Sequence, residues 1–170
     1  MMDTTLLTLA VCSLGAILAI NLLYFPLSVR WMRQYTTDVP LLDMVAWRSV
    51  SRTYNILAAL GVTGRRNHLC FIWTIDLVLP VLFGSCLYIA IRDSAAFAAL
   101  NAAGRLSWIA VAAAAMDYLE NITNSALLAL YPQRISFLAS LSGLLTLMKF
   151  SLYGLCILIA LSMFSIGLAR

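Results

Sequence analysis

Charge is what this sequence has least of. Asp, Glu, Lys and Arg together make up 11% of its 170 residues, against about 25% in an average soluble domain. Too few polar side chains remain to cover a globule of this size, so a soluble fold is excluded. Histidine occurs only as His68, which excludes haem held by two histidines of the chain. The four cysteines include no C-x-x-C pair. Cys12, Cys70, Cys86 and Cys156 all fall in apolar stretches and read as inert buried thiols, not as metal ligands or a disulfide framework. No nucleic-acid signature is present, and nothing calls for a metal or other cofactor. What is abundant is apolar: 63% of residues, with a mean hydropathy of +0.95, which also excludes a disordered chain. An integral membrane protein remains, with the lipid bilayer as its first partner.

Crossing about 30 Å of hydrocarbon takes about 20 apolar residues in a helix. Four segments qualify, 6–25, 70–91, 106–131 and 137–168, and they predict an all-α fold: a single membrane domain, 1–170, built as a four-transmembrane-helix bundle. The first segment has no basic n-region and no small-residue cleavage site, and Arg30 and Arg33 follow it. It therefore reads as an anchor, not a cleaved signal. If the N-terminus is outside, Arg30, Arg33, Arg48, Arg52, Arg65, Arg66 and Arg134 are cytoplasmic, while Arg92, Arg105 and Arg170 lie opposite. The positive-inside rule then places both termini outside. Ten arginines against one lysine suggest a GC-rich bacterium, and with it the inner, cytoplasmic membrane.

The one long connection, 26–68, is expected to carry an amphipathic helix over about 39–60, lying in the cytoplasmic interface. Asp38 can cap it, Pro40 suits its first turn and Gly61 is placed to end it. At 100° per residue Leu42, Ala46, Val50, Tyr54, Leu57 and Leu60 share one face, and Arg48, Ser51, Arg52 and Asn55 the other. His68 is read as a surface or interfacial residue. Gly64-Arg65-Arg66 could hold a lipid phosphate, although membrane orientation alone accounts for its charge. Ala139 with Gly143, and Ala110 with Ala114, are small-xxx-small pairs read as helix packing. The Asn121-Ile-Thr123 sequon lies within a span and is fortuitous.

The informative residues are polar ones inside apolar spans. Asp76 lies in the second, Asp117, Glu120, Asn121 and Asn124 in the third, and Ser142, Thr146, Lys149 and Tyr153 in the fourth. The third-span set stands at i, i+4 and i+7 with Glu120 beside it, and the fourth-span set at i, i+4, i+7 and i+11, so each forms a stripe on one helix. At about 1.5 Å per residue, Asp76 and Glu120 reach nearly the same depth, with Asn21 a little lower. Pro80, four residues after Asp76, frees a carbonyl in its turn and can kink the span. Such residues are costly in lipid and face a bundle interior or a cavity.

Three carboxyls against one ammonium leave a net charge of about −2 to be neutralised by protonation, a metal or a cationic ligand, with Glu120 the expected uncharged member. The expected site is a pocket lined by Asp76, Asp117, Glu120, Asn121 and Lys149, opening to the cytoplasmic leaflet. Its occupant would be a small amphiphilic, lipid-soluble or cationic ligand. Whether the chain is an enzyme stays open. In a catalytic reading Asp76 and Glu120 are the acid and base, Asp117, Asn121 and Asn124 bind and orient, and Lys149 is the counter-charge. Two other classes compete: an accessory subunit of a larger membrane complex that uses these residues as interhelical glue, and a small proton-coupled carrier acting as a homo-oligomer. Four spans with embedded carboxylates resemble, in outline only, the sterol-isomerase group of four-helix membrane proteins. The histidine used by those enzymes has no counterpart within a span here, so the likeness implies no activity.

Overall fold

The computed structural model describes residues 41–92 and 103–168. Among them every regular element is helical: a 3-10 turn at Leu42–Met44, then α1 (Val50–Ala59), α2 (Gly61–Ile72), α3 (Ile75–Arg92), a single helical turn at Ala103–Leu106, α4 (Trp108–Leu130) and α5 (Ser136–Leu168). Two stretches, Gly61–Arg92 and Ser136–Ser162, are long and apolar enough to cross a membrane. The expected first span, 6–25, lies outside the described residues, as do Cys12, Asn21, Asp38 and Pro40.

The start of α1 corrects the expected helix over 39–60. Ser49 caps α1, its Oγ accepting the Arg52 amide at 3.2 Å, so the helix begins at Val50 and the chain before it is a strap with only one 3-10 turn. A side chain that bonds its own backbone competes with helix propagation, and Ser49 does so here. From Val50 on the expected faces hold. Tyr54, Leu57 and Leu60 are buried, while Ser51, Arg52 and Asn55 are exposed. Gly61 ends α1 with φ of +62°, a left-handed conformation that glycine adopts without strain.

Close approach of α3 to α4 is made by small residues. A Cβ on Gly84 would stand 3.2 Å from the Ala114 Cβ and 3.4 Å from the Ala110 carbonyl. The expected packing role of Ala110 and Ala114 is met there. Two apolar cores result. One, around Leu42, Tyr54, Leu57, Ile72, Leu127 and Ala139, joins the strap and α1 to the ends of α2, α4 and α5. The other, around Leu87, Ile91, Ala110, Ala113, Tyr153 and Cys156, joins α3, α4 and α5. Between the two cores lies a polar layer, which holds the site.

Candidate functional site

Lys149 on α5 places its Nζ 2.9 Å from Asp117 Oδ1 and 2.7 Å from Glu120 Oε2, both on α4. Asp117 and Glu120 are three apart and so share a helix face, which lets one ammonium reach both. Tyr153, one turn further along α5, donates to Asp117 Oδ2 at 3.4 Å. Glu120 is wholly buried and gains more partners. Its Oε1 accepts from Asn124 Nδ2 at 3.3 Å and from the Thr146 hydroxyl, and lies 4.0 Å from an Arg48 nitrogen.

Arg48 is the unexpected member. Placed by its periodicity on a solvated helix face, it is instead 5% exposed and enters the layer from the strap. One guanidinium nitrogen donates to the Leu42 carbonyl, to Val45 O at 3.3 Å and to Thr146 Oγ1 at 3.2 Å. The other donates to Asn124 Oδ1 at 3.0 Å and to Ser142 Oγ. Ser142 in turn donates to Asn124 Oδ1. Burial pulls the guanidinium below its usual range, against the opposing charges of Glu120 and Asp43.

Two features of the backbone permit this insertion. Gly143 is buried where a Cβ would stand 2.9 Å from the Arg48 carbonyl, so only glycine lets the strap lie on α5. The small residue at 143, expected to serve contact between helices, serves the strap instead. Trp47, exposed on the far side of the turn, has φ of +53°, a conformation costing of order 1 kcal/mol for a residue with a Cβ. The contacts of Arg48 hold it there.

A second tie fixes the same strap. His68 on α2, expected at the surface, is fully buried, and its Nε2 lies 3.3 Å from Asp43 Oδ1. Burial pushes the Asp43 carboxyl up, but the contact and charge of His68 outweigh it and hold the group below the usual carboxylate range.

Asp76 stands apart from these pairs. Pro80 lacks the N–H that would bond the carbonyl of residue 76 within α3, and that freed carbonyl accepts from Asn121 Nδ2 at 3.2 Å. Tyr118 donates to the adjacent Leu77 carbonyl at 2.7 Å. Thus α3 and α4 are clipped together with Asp76 beside Asn121. The carboxylate is 6% exposed, pairs with no cation among the described residues, and its Oδ2 has no hydrogen-bond partner. Asn121 Oδ1 is also buried and unpartnered. Because the Asp76 carbonyl requires a donor, the amide orientation is fixed, and the two free atoms are both acceptors.

Of the expected site residues, Asp117, Glu120, Asn124 and Lys149 form one contiguous network, and Asp76 and Asn121 a neighbouring pair. Glu120 is the most fully partnered acid of the layer, while the acid without a cation among the described residues is Asp76. Asp43, Arg48 and His68 were missed. The charge imbalance was the signal for Arg48, because a layer short of cations has to draw one from elsewhere in the chain; His68 and Asp43, which face each other, had no such signal. A cavity of about 500 Å³ lies between α3 and α4, but it is lined by Pro80, Val81, Gly84, Tyr88, Trp108 and Val111 among others, not by the carboxylates. No family model, curated protein or solved structure matches the chain.

Proposed function

We propose that this chain is an integral membrane protein that binds, at Asp76 and Asn121, the donor head of a small amphiphile: a protonated amine first, an alcohol second. One observation supports this reading above the rest. Two buried acceptor atoms, Asp76 Oδ2 and Asn121 Oδ1, sit on adjacent helices with no donor from the described residues, whereas buried polar atoms are ordinarily satisfied. A carboxylate in a desolvated layer favours a cation, and burial strengthens that attraction. The layer then divides by role. Lys149 and Arg48 close the Glu120 side, which serves as structure, and Asp76 remains for a ligand. Acid–base chemistry by Asp76 and Glu120 is the weaker form of the proposal, because Glu120 is already engaged by Lys149. We infer in addition the full four-span bundle, with both termini outside, in a bacterial inner membrane.

A second reading has its own observation. The closed Glu120 network is what interhelical glue looks like, and Asp76 would then be completed by a helix of a partner subunit. The test is thermal unfolding of the full chain in nanodiscs with dodecylamine, dodecanol or dodecanoate added. Dodecylamine is expected to stabilise the protein, by about 1.4 kcal/mol at ten times its Kd, with dodecanol weaker and dodecanoate without effect. The stabilisation should vanish in Asp76→Asn. An amine effect of equal size in that variant would overturn the ligand site and put the subunit reading in its place.

A further inference from the structure

The arginines at the α4–α5 corner are held in a way that membrane orientation alone does not require. Arg65 on α2 lies over the Tyr131 ring, its guanidinium carbon 4.3 Å from the centroid, and one of its nitrogens donates to the Leu57 carbonyl at 2.9 Å. That carbonyl belongs to the last turn of α1, where the chain leaves the helix at Gly61 and helix carbonyls lack their usual partners. Arg134, in the turn between α4 and α5, lies over Tyr54 at 5.5 Å, and the Tyr54 hydroxyl accepts the Ile135 amide. Tyr54 is buried in the apolar core against which Tyr131 packs. Both guanidinium groups therefore rest on rings fixed in one packed corner.

Among the described residues neither arginine pairs with a carboxylate, and neither do Arg52 and Arg66. The acids among the described residues, Asp43, Asp76, Asp117 and Glu120, are all buried in the polar layer. A guanidinium has five N–H donors in a planar fork. Stacking occupies its face and leaves its edge, the part that matches a phosphate bidentately. Arg65 uses one donor within the protein. The level also fits. Phe137, 72% exposed, opens α5 three residues after Arg134, and Leu130, 40% exposed, closes α4. Apolar side chains thus meet arginines at the end of a span-length helix, where headgroups lie.

We propose that Arg65 and Arg134, each stacked on its tyrosine, bind the phosphodiester of an anionic glycerophospholipid, whose acyl chains lie along α5 from Phe137. The proposal is independent of the Asp76 site, since it uses none of the same residues.

The test uses the full chain in nanodiscs of phosphatidylcholine with a minor fraction of phosphatidylglycerol, and native mass spectrometry of the released protein to count retained lipids. The wild type is expected to retain phosphatidylglycerol over phosphatidylcholine. The double variant Arg65→Ala with Arg134→Ala should lose that preference by about tenfold, as for the loss of charge-assisted contacts. Arg65→Lys with Arg134→Lys keeps the charge but not the planar fork, and should lose most of it as well. The charge-matched control is Arg52→Ala with Arg66→Ala, at the same end but unstacked, which should stay within about twofold of wild type because a mobile surface charge contributes little to a specific contact. Equal losses in both alanine doubles would reduce the effect to diffuse surface charge and overturn the site. So would full retention in the stacked-pair double. Displacement of the lipid by millimolar inorganic phosphate would show that the corner recognises free phosphate, which also overturns the lipid assignment. Unchanged melting of the variants in phosphatidylcholine alone would confirm that they fold.

Discussion

The polar layer has two sides, built from the same kinds of residue and finished differently. On one side Glu120 meets Lys149, Thr146, Asn124 and Arg48 within a single network. On the other Asp76 meets no cation among the described residues, and the Asn121 amide donates to its backbone carbonyl, not to its carboxylate. The difference comes from Pro80. By removing one helix hydrogen bond it redirects Asn121 to the orphaned carbonyl and strips the carboxylate of that donor. A buried ion pair is costly to break from one end, whereas a buried acid with no cation partner loses little when its charge is removed. The two sides should therefore respond oppositely to substitution.

The largest effect is expected from Lys149→Met. It leaves Asp117 and Glu120 without the ammonium that touches both, and removal of one member of a buried pair typically costs about 3–5 kcal/mol. Denaturant unfolding in mild detergent measures it. A loss below that of a single exposed ion pair, about 1 kcal/mol or less, would break the contrast between the sides.

Next comes Gly143→Ala. The added methyl would meet the Arg48 carbonyl at 2.9 Å, and overpacking of this kind costs about 1–3 kcal/mol. The strap has to lift, taking Arg48 with it. The sharper check is a double-mutant cycle with Arg48→Met. If Arg48 acts through its seat on Gly143, the two losses fall well short of adding.

Much of the layer was legible because helical periodicity reports which residues share a face. The stripe Ser142, Thr146, Lys149, Tyr153 and the set Asp117, Glu120, Asn121, Asn124 are one-helix patterns, and both are found facing each other. Rise per residue put Asp76 and Glu120 at one depth, and the contact found on α4 at that end of the layer is with Asn121, one residue further on. Arg48 was not legible in this way. Its neighbours continue a helical pattern, and periodicity gives no weight to Ser49 as a cap or to the gap left open by glycine at position 143. Contacts such as Arg48 with Ser142 join residues 94 apart, and local spacing carries no information on them. His68 was misplaced for the same reason, since its partner Asp43 lies on a strap that local spacing read as helix.

A smaller, pH-dependent effect is expected from the second tie of that strap. The folded state holds the Asp43 carboxyl below its ordinary value of 3.8. A depressed folded pKa gives stability that is present in full above the unfolded value and lost as pH falls through the folded one. Wild type should therefore lose the contribution of the Asp43–His68 tie only below about pH 4, near the unfolded carboxylate value. Asp43→Asn should lack it throughout the neutral range, so the stability difference between the two proteins narrows on acidification. A gap that stayed constant down to strongly acidic pH would show that the tie is packing and not charge.

The smallest effect is expected from Asp76→Asn, and it tests the comparison most directly. Asparagine keeps the size of the side chain and removes the charge. No cation is left unpaired by the change, because none pairs with Asp76 among the described residues, and the link from Asn121 to α3 runs through the backbone carbonyl at 3.2 Å, which the substitution leaves in place. The new amide can also donate to Asn121 Oδ1, which has no donor in the wild type. Relief of a buried charge and one added hydrogen bond of about 1 kcal/mol both favour the variant, so Asp76→Asn should unfold at or slightly above the wild-type denaturant midpoint. Glu120→Gln, conservative to the same degree, should lose about 3 kcal/mol or more, since it leaves Lys149 and Arg48 facing a neutral group. A residue whose charge lowers the stability of the free protein is kept for what that charge binds. Should Asp76→Asn instead cost as much as Glu120→Gln, Asp76 has a structural partner after all, and the division of the layer into a closed side and a binding side fails with it.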